Sequence, residues 1–225
     1  AGPLPPAQDA LLIIANPNPA TGQILTADVM ARLATWVETT GSSVIADETL
    51  APLLRPDLAF QHFAALPGMA ARTLTLGSFA DLPGLTGWQV SWFAGPIPLA
   101  TRVRDLKQAM TICTPAPGQY AALAGLDEHS GDAVLQNVER METLLALLNR
   151  FDLPYLHPDT TAFVVADASR YGGEEATVAA CAAQGVRIDG GASLGDGNAI
   201  RIAATGSQFT AGLDRLATAF ESLEG

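Results

Sequence analysis

The chain has 225 residues, 48% of them hydrophobic and only 16% charged, so it can bury a sizeable core and lacks the low hydrophobicity of a disordered chain. Its 12 basic and 23 acidic residues leave a net charge of −11, a balance that repels nucleic acid and anionic membrane. No apolar run reaches bilayer-spanning length, and the Pro-rich start at Ala1–Gln8 lacks the layout of a signal peptide. Cys113 and Cys181 have neither metal nor redox spacing, so the expectation is a cytoplasmic protein with two buried thiols.

In chain order, the apolar run Ala10–Ala15 stops at the turn formers Asn16-Pro17-Asn18-Pro19-Ala20-Thr21-Gly22 and reads as a buried strand. Thr26 precedes a stretch with Val29, Leu33, Trp36 and Val37 at helical spacing, and Gly41 is its stop. Ser43–Ala46, Arg72–Leu76 and Trp88–Ala94 read as further strands, with Trp88 and Trp92 on the core side. This rhythm predicts βαβ units and a mostly parallel sheet, whose ligands sit at the carboxyl ends of the strands, near Asn16, Asp47 and Ser78.

From Leu99 the spacing turns helical, with Leu99, Val103, Leu106 and Met110 on one face and Pro115 and Pro117 as an interruption. Helices are expected over Tyr120–Leu126 and Leu135–Phe151. A strand at Phe163–Val165, a helix over Glu174–Gln184, a strand at Val186–Ile188, a Gly-rich loop, a strand at Ala199–Ala203 and a helix over Phe209–Leu223 complete the chain. The expected division is 1–150 and 151–225, the second piece being a small α+β domain. His62, His129 and His157 lack ligand spacing and read as surface or structural residues, and no metal site is expected.

Three ordered blocks resemble class I/II aminotransferases, the fold-type I enzymes that use pyridoxal phosphate (PLP). NPNPATGQILTADVMARLATWVETTGSSVIADETL resembles their Asn-Pro turn, helix and strand ending in Asp-Glu-x-Tyr. GSFADLPGLTGWQVSWFAGP is similar to their Ser-x-x-Lys segment, and GVRIDGGASLGDGNAIRIAAT to the end of their small domain. The resemblance implies an α/β fold: part of the fold-type I large domain, a mostly parallel sheet with flanking helices, followed by the small α+β C-terminal domain.

Position by position, the resemblance places Asp47 at the pyridine-nitrogen carboxylate, Ser78 at the phosphate serine and Arg201 at the substrate-carboxylate arginine. It also shows departures. The Schiff-base lysine position is Asp81, which cannot form an imine, and Pro19, Leu50 and Gln89 replace the turn Asn, the Tyr and the phosphate Arg. Lys107, the only lysine, reads as a solvated helix residue. Asp47 reads equally as a strand-end cap, and Arg201 as half of an ion pair with a nearby acid.

The resulting expectation has no catalytic residue and no covalently bound cofactor. It is an inactive relative with a structural or regulatory role, acting as a homo- or hetero-oligomer or within a larger parent protein. The family carries strands ahead of the Asn-Pro turn, so the Ala10–Ala15 strand is expected to offer a free edge to a partner chain. Two alternatives stand beside it. One is a PLP-dependent aminotransferase completed by another chain, with Asp47, Ser78 and Arg201 holding ring nitrogen, phosphate and substrate. The other is a non-catalytic carboxylate binder using Arg201.

Overall fold

The first helix starts and stops where local chemistry sets it. The Thr26 hydroxyl accepts from the Val29 N–H and caps helix α1, Ala27–Thr40, while Gly41 takes the left-handed conformation at φ 69° that ends it. A computed structural model describes residues 4–79, 85–127 and 131–224. They fall into two units: Ala1–Pro19 with Ile24–Ser130, and Ala20–Gln23 with Gly131–Gly225.

The first unit holds strands β1 Leu11–Ala15, β2 Ser43–Asp47, β3 Thr73–Ser78 and β4 Ser91–Ala94. The sheet order is β1-β2-β3-β4, parallel except for the antiparallel β3–β4 pair. Helix α1 links the parallel neighbours β1 and β2, as a βαβ unit requires. Ile14, Val44 and Ala46 of the sheet pack with Met30 and Val37 of α1 and with Phe63 and Met69. Gly77 is needed because the Trp92 indole lies against the position a Cβ would take.

The fourth strand is shorter than the sequence suggests, because Thr86–Trp88 forms a 3-10 turn. Trp88 and Trp92 are 49% and 41% exposed rather than core residues. Helices α2, Ile97–Thr111, and α3, Ala116–Asp127, follow. Pro117 does not interrupt: it sits in the first turn of α3, where a missing N–H costs nothing. No residue of α2 is buried.

The second unit begins with α4, Gly131–Arg150, and holds β5 Tyr155–Leu156, β6 Phe163–Asp167, α5 Gly173–Ala183, β7 Asp189–Gly190, β8 Ala199–Ala203 and α6 Phe209–Leu223. Its sheet is antiparallel throughout, in the order β5-β6-β8-β7. Met141, Leu144 and Leu148 of α4 join the β6 and β8 side chains and Phe220 of α6 in one core, so α4 groups with this unit and not with the residues before it. The structure thus divides the chain ahead of α4, where the sequence reading drew the line after it. Strand β7 lies at Asp189–Gly190, one step beyond the Val186–Ile188 run, of which Val186 and Ile188 serve the core instead.

Candidate functional site

Asp47 and Ser78 come together at one end of the first sheet. They close β2 and β3, parallel neighbours whose register pairs Asp47 with Leu76, two residues before Ser78. This is the carboxyl edge, where open α/β sheets place ligands. The Asn16 N–H donates to the Asp47 carbonyl at 2.9 Å, so the turn after β1 reaches the same edge. Asn16 is buried and its Oδ1 accepts from the Leu25 N–H at 2.8 Å.

The Asp47 carboxylate has a local partner. Its Oδ1 accepts from the Thr49 hydroxyl at 2.7 Å and from the Thr49 N–H at 3.1 Å, which closes the strand end as an Asx turn. The cap reading of Asp47 therefore describes its observed contacts. The next residue, Glu48, is buried, and its carboxylate accepts from the Phe63 N–H at 3.0 Å and meets His62 Nδ1 at 2.5 Å. That pair pins the segment after β2 to the 3-10 turn Phe63–Ala65 and gives His62 the structural role expected of it.

Beside this edge a cleft of about 640 Å³ opens between β4 and α2, with Thr49, Gly77, Ser91, Trp92, Arg104 and Lys107 among its lining residues. Lys107 Nζ lies 3.4 Å from the Thr111 hydroxyl one turn on. The only lysine of the chain thus lines this open cleft while its side chain remains exposed, in keeping with the reading of a solvated helix residue.

Arg201 belongs to the second unit. Cross-strand register sets it opposite Asp189, and its Nε and Nη2 donate to Asp189 Oδ2 at 3.2 and 2.8 Å. Its guanidinium lies 5.0 Å from the Phe163 ring centroid. The ion-pair reading of Arg201 is realised in this contact. The sequence reading missed Asp189, because it placed β7 too early to see that the two residues face each other. The Gly-rich segment forms a 3-10 turn, Gly191–Leu194, ended by Gly195 at φ 91°.

Asp81 and His129 lie outside the described residues. Gln89, at the phosphate-arginine position, is exposed with φ 52°. Cys181 is buried and burial pushes its thiol from 9.0 up to about 11, whereas Cys113 is exposed, against the expectation of two buried thiols. Among the described residues no group of three or more His, Cys, Asp or Glu could hold a metal ion, and no helix is long and apolar enough to cross a membrane.

A mixed, mostly parallel sheet with helices, followed by a small antiparallel unit, is the arrangement this chain shares with the fold-type I class. The family description "Aminotransferase class I and II" matches residues 4–220, and the chain belongs to that family. It is 33% identical over 169 residues to the probable N-succinyldiaminopimelate aminotransferase DapC of Mycobacterium tuberculosis, covering 74% of this chain and 43% of that protein. To the kynurenine–oxoglutarate transaminase of Dictyostelium discoideum it is 28% identical, covering 71% of this chain and 38% of that protein.

The solved N-succinyldiaminopimelate aminotransferase of M. tuberculosis superposes with a TM-score of 0.83 at 26% identity, over 93% of this chain and 58% of that one. These matches cover between 38% and 58% of the relatives' own length, so the chain spans only part of them. The family is PLP-dependent. Of the positions that the resemblance assigns to that cofactor, Asp47 has its Oδ1 engaged by Thr49, and Gln89 is exposed.

Proposed function

We propose that this chain is a non-catalytic member of the class I and II aminotransferases, with a structural or regulatory role exercised through a partner chain or a larger parent protein. The observation that carries the reading is the replacement of the aldehyde-binding lysine by Asp81 in a chain whose only lysine, Lys107, stands on α2. An amine is indispensable to PLP chemistry, and a carboxylate at that position also opposes the cofactor's phosphate. The contacts of Asp47 with Thr49 and of Arg201 with Asp189 support the same reading, since both groups already have partners within the chain.

The partner pairs with β1. That strand has β2 as its one neighbour in the described sheet, and Leu11 and Ile13 are 57% and 68% exposed on its outer face. Open backbone groups beside exposed branched side chains are a template for another strand. A PLP titration with borohydride reduction and peptide mapping tests the absence of catalysis. The expected result is no saturable visible band, with label confined to the N-terminal amine or slow modification of Lys107. A stoichiometric adduct at Lys107, with a band that changes on adding an amino acid, reverses the proposal. It would mean that the site lies at Lys107, in the cleft beside β4, and that the chain is an enzyme.

A further inference from the structure

We propose that Asp189 is a built-in carboxylate that closes the Arg201 guanidinium against carboxylate ligands from solution. The contact is set by the backbone: β7 and β8 are antiparallel, with Asp189 directly opposite Arg201, so the two side chains emerge on the same face. Two N–H groups of the guanidinium converge on Asp189 Oδ2, and the Phe163 ring, from β6, lies against the same group.

Strand β7 is held where the pairing needs it. A Cβ on Gly190 would lie 2.8 Å from Glu174 Oε2, so glycine lets this α5 side chain approach, and the same oxygen accepts from the Ala192 N–H. Glu174 thereby fixes the residues that follow Asp189, and it is a positioning residue for the pair. An external carboxylate has to displace Asp189 and then remain beside its negative charge. The pair is partly exposed, Arg201 29% and Asp189 49%, so closure is a matter of competition and not of burial. A contact of that kind weakens an incoming ligand about five-fold. The inference holds whether or not the chain is catalytic, because it concerns only the second unit.

The test is a glutarate titration of the full chain, followed through the ¹⁵N signal of the Arg201 Nε–H and assigned with Arg201→Gln. The wild-type dissociation constant is expected to be about five-fold higher than that of Asp189→Asn, which keeps the shape and removes the charge. Arg201→Gln in the Asp189→Asn background is expected to abolish the binding. Equal constants for wild type and Asp189→Asn overturn the proposal, as does a failure of Asp189→Asn to move the Arg201 signal. Binding that survives Arg201→Gln overturns it too, by locating the ligand elsewhere. Should Asp189→Asn not fold, Glu174→Gln provides the second variant: it loosens β7 while leaving both partners in place. Tighter glutarate binding is then expected, and unchanged binding overturns the proposal.

Discussion

Each unit is built on a four-stranded sheet, yet the two treat their apolar side chains differently. Among the described residues, eighteen buried side chains form the core cluster of the second unit and seven that of the first. The large exposed hydrophobics lie mostly in the first unit: Leu11 and Ile13 on β1, Trp88 and Trp92 around β4, Leu106 and Met110 on α2, and Tyr120 and Leu123 on α3. The reason lies in the sheets. A parallel sheet is stable when both faces are covered, whereas an antiparallel one tolerates water on one side. The second unit covers its sheet with α4, α5 and α6, while β1 and α2 of the first retain apolar faces that meet solvent. What the difference teaches is which unit covers its own apolar side chains among the described residues and which leaves them exposed.

The two cysteines give the sharpest contrast. Cys181 lies in the second core and Cys113 between α2 and α3. Under native conditions at neutral pH, Cys113 is expected to react with an aromatic disulfide reagent at least about a hundredfold faster, because Cys181 needs an opening event before the reagent can reach it. Comparable rates would break the picture of a closed second unit. Deletion inside that core comes next. Phe220 is fully buried against Phe151 and Tyr171, with ring centroids at 5.3 and 5.7 Å. Phe220→Ala is expected to cost about 3–5 kcal/mol in denaturant unfolding.

The same core predicts a pH effect. Burial raises the Cys181 thiol from 9.0 to about 11, so its protonated form belongs to the folded state. The corresponding stability is present in full below pH 9 and is lost as pH rises toward 11, on the order of 2 kcal/mol. Tyr171, raised mainly by burial and also by its hydrogen bond to Glu224, acts in the same direction. Cys181→Ala should flatten this decline in alkaline unfolding curves, and an unchanged slope would assign the decline to other groups.

In the first unit, Glu48→Gln is expected to cost about 1–3 kcal/mol, since the buried group keeps one acceptor but loses the charge that meets His62. The smallest effect tests the open strand. Ile13→Lys should change the stability of the isolated chain by no more than about 0.5 kcal/mol, because the side chain is already exposed. A larger loss in the monomer would mean that β1 is covered within the chain, and no loss of self-association or partner binding would remove β1 as the pairing edge.

Local signals were legible where one residue's chemistry decides the outcome. Thr26 and Gly41 marked both ends of α1, the turn formers after Ala15 ended β1, and the strand expected at Ala199–Ala203 is β8. The ordered blocks around Asp47, Ser78 and Arg201 carried the family and therefore the fold. Other features were not legible, because they depend on residues far away in sequence. Asp189 became the partner of Arg201 through a strand register one step from the apolar run that marks the segment. Lys107 came to line a cleft because α2 runs beside β4. Trp88 and Trp92 carry an apolar pattern that calls for a core, and no element of the described first unit covers them fully.

The sequence by itself determined the family and the order of the elements, since these are properties of residue identity and spacing. Only the tertiary structure decided which charges meet, which apolar faces are covered and on which side of the division α4 falls. Charge pairing and burial are set by what packs against a residue, and a one-dimensional pattern states what a side chain favours without stating what it will meet.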